Sequence, residues 1–249
     1  MRLDKAVVDR GLAVSRTEAQ TLIAAGKVRV DARQAERASL NVTDASLIEV
    51  IRDSGSRFVS RAGHKLAAAL DSFAVTVNGR RCLDLGASTG GFTDCLLQRG
   101  AARVVAVDVG HGQLVQSIQN DPRVESREGV NARYLTPNDF DGEPFALVVG
   151  DLSFISLTLV LPAISSLVAN AGDCILLVKP QFEVGAGNLG KNGIVRDEAR
   201  RLEAVNKVSL TGAALGLIER GRIVSPITGG DGNIEYLLWF SRQEPQSPP

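Results

Sequence analysis

The segment LDLGASTGGFTDCLL, residues 83–97, decides how this chain is read. It starts as an apolar strand and ends in a helical stretch, so Gly86, Gly90 and Gly91 fall in the turn between them. Glycines in a strand-to-helix turn let backbone N–H groups come close to a ligand. The spacing G-x-x-x-G-G matches neither the G-x-G-x-x-G of nicotinamide enzymes nor a Walker loop, because no Gly-Lys-Ser/Thr follows. Asp108 then closes the next strand, where an acid can accept both hydroxyls of a ribose. Taken alone, the pattern also fits a plain tight turn with a solvated aspartate.

Outward from this turn the chain alternates strands and helices. RCLDLG (81–86), RVVAVDVG (103–110), FALVVGDLS (145–153) and CILLVKP (174–180) are strand-like, with helical or looping segments between them. That order predicts an α/β fold with a parallel sheet covered on both faces. A helical stretch over 197–216 leads to GLIERGRIVSPI and NIEYLLWFSR, two neighbouring runs suited to antiparallel pairing at one edge. A mostly parallel, Rossmann-like sheet with an antiparallel last strand, a glycine turn without phosphate chemistry and a ribose-binding acid together suit a nucleoside cofactor without pyrophosphate. S-adenosylmethionine is such a cofactor.

Composition narrows the classes. The 249 residues carry 28 basic and 28 acidic side chains, so any contact with nucleic acid must come from local patches. With 44% apolar residues, no run as long as a membrane span and no signal peptide in MRLDKAVVDRG, a cytoplasmic protein without membrane contact is expected. Cys82, Cys95 and Cys174 form no paired motif and read as small core residues of a reducing compartment. His64 and His111 have no second ligand at a usable spacing, so no metal is expected.

The first fifty residues form a separate module. Leu3, Ala6 and Val7 mark one face of a short helix ending at Gly11. Ser15 to Glu18 reads as a capping box for a second helix that closes at Gly26. KVRV (27–30) and LIEV (47–50) follow as strands. The domains expected are 1–51, a polar linker over 52–59, a catalytic domain over 60–241 and a disordered tail over 242–249. RLDKAVVDRGLAVSRTEAQTLIAAGKVRVD resembles the S-four RNA-binding domain, a small α+β module first known from a ribosomal protein. The resemblance implies RNA-facing roles for Arg2, Arg16, Gln20 and Lys27.

Ligands of open α/β sheets bind beyond the carboxyl ends of the strands. Asp151 and Lys179 fall there, Glu235 lies in the last run, and Lys65 sits in SRAGHKLAAALDSF, a helix read as capped by Ser60. The set Lys65, Asp151, Lys179 and Glu235 resembles the catalytic tetrad of FtsJ-like ribose 2'-O-methyltransferases. SRAGHKL, DLGASTGGFTD, GDLSFISL, LVKPQFEVG and GNIEYLLW, together with the N-terminal module, resemble the TlyA family of rRNA 2'-O-methyltransferases, historically labelled haemolysins. The resemblance implies a class I methyltransferase fold and S-adenosylmethionine as cofactor. It sets Gly86, Ala87, Ser88, Thr89 and Gly90 at the methionine side, Asp108 at the ribose and Asn131 near the adenine. Asp84 is expected to be a structural acid beneath the loop. Lys179 would meet the ribose hydroxyl, with Lys65 beside it favouring a lowered pKa.

Rival readings lack their own signatures. An exocyclic-amine methyltransferase would carry Asp/Asn-Pro-Pro-Tyr/Phe where this chain has DLSF, and a cytosine carbon-five enzyme would need a cysteine there. A membrane-damaging toxin has no spanning segment to act with, and an RNA-binding assembly factor would not need the tetrad. Longer members of the resembled family, which also modify small-subunit rRNA, carry extra residues at both ends. The expected partner is therefore rRNA, with a cytidine in 23S rRNA of the large subunit as target.

Overall fold

The structure, a computed structural model, describes residues 1–13, 16–24, 26–50, 57–229 and 232–243. It divides into two units, Met1–Arg57 and Phe58–Pro249. In the first, α1 (Leu3–Asp9) and α2 (Arg16–Ala24) pack on a three-stranded antiparallel sheet. There β1 (Val28–Val30) lies between β2 (Arg33–Gln34) and β3 (Ile48–Val50). Leu3, Ala6, Val7, Ala19, Ile23, Val28 and Ile48 form its core, the apolar face expected from the helical spacing. Ser15, on which the capping-box reading rests, lies outside the described residues, as do linker positions 52–56 and tail positions 244–249.

The second unit is built on a seven-stranded sheet. Its strands are β4 (Arg81–Leu85), β5 (Arg103–Asp108), β6 (Val124–Glu128), β7 (Phe145–Gly150), β8 (Val168–Val178), β9 (Leu217–Val224) and β10 (Tyr236–Arg242). They run in the order β6-β5-β4-β7-β8-β10-β9. The pairs from β6 to β8 are parallel, whereas β10 is antiparallel to both β8 and β9.

Alternation along the strands explains the unbroken apolar runs. Leu83, Leu85, Val105, Val107, Leu176 and Val178 point into one core, while Cys82, Val104, Ile175 and Leu177 point into the other. A strand covered on both faces has no solvent side on which to place a polar residue. All three cysteines are buried, and burial pushes the Cys82 thiol up to about 12.

Helices α3 (Ala62–Phe73) and α4 (Gly91–Gln98) cover the second of these faces, joined there through Leu66, Leu70, Phe92, Cys95 and Leu96. The contact is close because it meets at two glycines. A Cβ on Gly63 would lie 2.9 Å from the Gly91 carbonyl oxygen, and one on Gly91 would lie 2.1 Å from the Ser60 hydroxyl. This approach sets the start of α3 against the glycine turn. The remaining helices are the short α5 (Gln116–Gln119), α6 (Leu161–Leu167), the short α7 (Pro180–Glu183) and α8 (Glu198–Ala214).

Several sequence expectations need correction. Ser60 does not cap α3: Arg61 occupies the cap position without a side-chain bond, and Ser60 offers only its carbonyl to Gly63. Its hydroxyl is turned toward Gly91 instead. Phe58 and Val59, read as linker, belong to the second unit. Phe58 is buried in its core, and the Val59 N–H donates to Asp94 at 2.7 Å. Arg242, read as tail, is the last residue of β10 and donates to the carbonyls of Ser165 and Val168. Strand β6 escaped the sequence reading because VESRE has no apolar run. It is an edge strand whose Glu125 pairs with Arg103 and Arg127.

Candidate active site

The parallel strands β4, β5, β7 and β8 end at one rim, and the antiparallel β10 begins there. Gly86 follows β4 with φ +81, a left-handed conformation that suits glycine. A Cβ there would stand 2.7 Å from the Asp151 carbonyl oxygen, so the glycine also lets the ends of β4 and β7 touch. The Asp151 N–H in turn donates to the Leu85 carbonyl at 3.0 Å. Gly86, Ala87, Ser88, Thr89, Gly91, Asp151, Ser153 and Lys179 line a cavity of about 170 Å³.

Asp108 fastens this loop to the end of β5. One of its carboxylate oxygens accepts from the Ser88 N–H at 2.8 Å and the other from the Gly110 N–H at 2.7 Å. Each carboxylate oxygen can accept more than one hydrogen bond, so Asp108 keeps acceptor capacity beyond these two bonds, although the cavity it lines is only about 10 Å³. Beneath the loop, Asp84 is fully buried and accepts from the Thr93 hydroxyl at 2.6 Å. Burial pushes its carboxyl up to about 7, with Asp151 and Asp108 adding to the rise. Its second oxygen is buried and has no hydrogen-bond partner among the described residues. Asn131 follows Val130, whose N–H donates to the Asp108 carbonyl at 3.0 Å, and its own side-chain oxygen caps the turn Ala132–Tyr134 by accepting from the Arg133 N–H at 3.0 Å.

The four tetrad positions meet as two ion pairs. Lys65, on the second turn of α3 and 8% exposed, donates to Glu235 at 2.6 Å. Glu235, 2% exposed, is delivered by the segment leading into β10. Gly229 makes room for it, since a Cβ there would lie 2.1 Å from its carboxylate. Lys179, at the end of β8, stands 2.7 Å from Asp151 and donates to the Ser153 hydroxyl at 2.6 Å. Lys65, Lys179 and Glu235 line a second cavity of about 260 Å³. It shares Ser60, Ala62 and Lys179 with the loop cavity, so Lys179 stands at the junction of the two.

Two residues of this site escaped the sequence reading. Ser153 could have been suspected as a hydroxyl two positions beyond Asp151 at a strand end. Glu183 carried no local signal. It is 6% exposed and accepts from the Ser156 hydroxyl and from the Leu157 N–H at 2.7 Å, so it fastens α7, which follows Lys179, to the segment that follows Asp151. Burial holds its carboxyl above the ordinary range. On the same segment Phe154 is 91% exposed at φ +63, with its ring centroid 5.3 Å from that of Phe182.

The residues resembling an RNA face converge on one carboxylate. Asp4 accepts from Arg2 Nε and Nη2 at 3.0 Å, from Arg16 Nη2 at 2.9 Å and from Gln20 Nε2 at 2.9 Å. Lys27, between α2 and β1, is not part of this group.

Comparison with known proteins agrees with this architecture. The FtsJ-like methyltransferase pattern matches residues 58–242 and the S4 domain pattern matches residues 1–48. A Mycobacterium tuberculosis protein named 16S/23S rRNA (cytidine-2'-O)-methyltransferase TlyA is 51% identical over 97% of this chain and 90% of its own length. The 23S rRNA (cytidine-2'-O)-methyltransferase TlyA of Campylobacter jejuni is 35% identical over 74% of this chain and 70% of its own length. Among solved structures, a suspected hemolysin from Streptococcus thermophilus superposes with a TM-score of 0.79 at 38% identity, covering 98% of this chain and 89% of that one. The chain belongs to the FtsJ-like methyltransferase family and carries an S4 domain ahead of the catalytic fold.

Proposed function

We propose that this protein methylates the ribose 2'-hydroxyl of a cytidine in the 23S rRNA of the large ribosomal subunit, with S-adenosylmethionine as methyl donor. One observation carries the reading: two lysines, each held by its own carboxylate, line one cavity that opens onto the glycine loop through Lys179. The rRNA assignment is supported by the relatives: the Campylobacter jejuni protein is named for cytidine 2'-O-methylation of 23S rRNA and the Mycobacterium tuberculosis protein for that of both 16S and 23S rRNA.

The loop residues fit the donor. Gly86 to Thr89 offer a small-residue wall, and Asp108 offers a ribose acceptor. Asp108 sets a carboxylate against the loop, and negative charge there favours a cationic ligand. When bound, S-adenosylmethionine supplies an electrophilic methyl group on a sulfonium centre.

The chain's own side chains position the acceptor. A ribose hydroxyl is a weak nucleophile, so alignment supplies much of the rate. Lys179, fixed from two sides by Asp151 and Ser153, meets that oxygen and stabilises the negative charge that grows on it. Lys65, fixed by Glu235, adds a second cation to the same cavity. The exposed Phe154 ring and the half-buried Phe182 ring of α7 lie on the segments that follow Asp151 and Lys179 and provide a surface on which an unstacked base can rest.

Incubating the purified protein with methyl-labelled cofactor and each isolated ribosomal subunit tests the whole reading. Label is expected on large-subunit rRNA and is expected to vanish when the target nucleotide is 2'-deoxy. Label surviving in the 2'-deoxy substrate would assign the reaction to a base, and comparable label in the small subunit would overturn the choice of subunit. For the cofactor, Asp108→Ala is expected to weaken binding by roughly 10-fold, the scale of one lost hydrogen bond to a charged group. Calorimetric titration with S-adenosylhomocysteine checks it.

A further inference from the structure

Asp4 has no place in the methyl-transfer chemistry, yet it is the most heavily bonded carboxylate of the first unit among the described residues. Its exposure is 0%, and the atoms closing over its oxygens come from Arg2, Arg16, Gln20 and the Lys5 N–H. Arg2 and Arg16 come from different places, the residue before α1 and the first residue of α2. Both place an Nη2 on the same Asp4 oxygen, at 3.0 Å and 2.9 Å. Two guanidinium groups brought this close repel each other unless an anion lies between them. The arginines nevertheless stay open to solvent, with side chains 50% and 58% exposed. The hydrogen bonds from Arg2 and then Gln20 hold the Asp4 carboxyl well below the usual carboxylate range, so it is an anion at neutral pH.

We infer that Asp4 is a positioning residue for RNA capture: it draws Arg2 and Arg16 onto one carboxylate and holds them as a preassembled pair of cations for an RNA phosphate. The inference rests on the reading of the first unit as the RNA-binding part. The arrangement lowers the cost of binding in two ways. Long arginine side chains lose conformational freedom when a phosphate immobilises them, and here much of that loss is borne on folding. The Arg2 guanidinium, held on Asp4 through both Nε and Nη2, is also oriented beforehand, which matters for directed contacts to phosphate.

The sign of one substitution separates this role from plain electrostatics. Asp4→Asn removes a negative charge from a surface that binds a polyanion, so charge alone would tighten RNA binding. Positioning demands the opposite. In the full chain, affinity for a labelled 23S rRNA transcript is expected to fall roughly 5- to 10-fold, the scale of one or two weakened phosphate contacts, with a shallower salt dependence. Tighter or unchanged binding would overturn the inference.

A second background guards against simple misfolding. In the Arg2→Gln/Arg16→Gln chain, Asp4→Asn is expected to cause no further loss, because its effect runs through those two arginines. A further loss of the same size would mean that Asp4 acts by holding the domain together, and the inference would fall while RNA capture by this unit stood. Should Arg2→Gln/Arg16→Gln itself leave affinity for the transcript unchanged, the RNA reading of the unit would fall with it.

Discussion

Lys179→Ala is expected to lower the methyl-transfer rate on large-subunit rRNA by roughly 10²- to 10⁴-fold, the range spanned by a positioned acid–base or charge-stabilising group. The loss should appear in kcat rather than in cofactor affinity. Lys179 is held on the rim by Asp151 at 2.7 Å and Ser153 at 2.6 Å, and it contributes to both cavities. On the proposed reading, removing the side chain takes away the cation at the reacting oxygen but leaves the loop from Gly86 to Gly91, with its tie to Asp108, in place. Single-turnover measurements with saturating cofactor, paired with titration of S-adenosylhomocysteine, separate the two effects. Near-normal turnover would dismiss Lys179 from the chemistry. Failure of cofactor binding to the same degree as turnover would make it part of the donor site instead.

Glu235→Ala is expected to produce the largest loss of stability of any tetrad substitution. Its partner Lys65 has a side chain only 10% exposed and donates to it at 2.6 Å, so the variant would leave an ammonium buried without its counter-ion. Breaking a buried pair in this way costs about 3–5 kcal/mol. For a domain of this size that corresponds to a fall in Tm of roughly 6–20 °C. Replacing both partners, as in Lys65→Met with Glu235→Met, is expected to restore most of that stability, because no charge is then left unpaired. Activity should stay lost in the double variant. A double variant as unstable as Glu235→Ala would show that the pair matters through its packing, and an active one would remove Lys65 from the mechanism.

The parts of the fold legible in the chain are those where a local pattern has one physical meaning. The apolar run Ile175–Val178, closed by Lys179 and Pro180, reads as a strand buried on both faces, and both cores indeed draw on it alternately. Lys179 after such a run, followed by Pro180, marks a strand end, and strand ends of an open sheet share a rim. Strand β6 and Glu183 were illegible for the converse reason. VESRE sits at a sheet edge where polar side chains are tolerated, and Glu183 works through contacts with Ser156 and Leu157, 26 or more positions away. The Ser60 cap misled because a serine ahead of a helix is a local signal, while the approach of Gly63 to Gly91 turned its hydroxyl elsewhere.

By itself, the sequence determined the alternation of strands and helices, the glycine turn with Asp108 at the next strand end, and the identity of the four charged residues at the rim. Hydrophobic periodicity and backbone permissiveness are properties of neighbouring residues, so they survive in a one-dimensional reading. Only the tertiary structure decided the pairing. Lys65 belongs to Glu235 across 170 positions, Lys179 belongs to Asp151, and Arg2 and Arg16 share Asp4. A carboxylate takes its partner by distance and burial, and both are set by how the sheet order and the helix packing bring remote segments together.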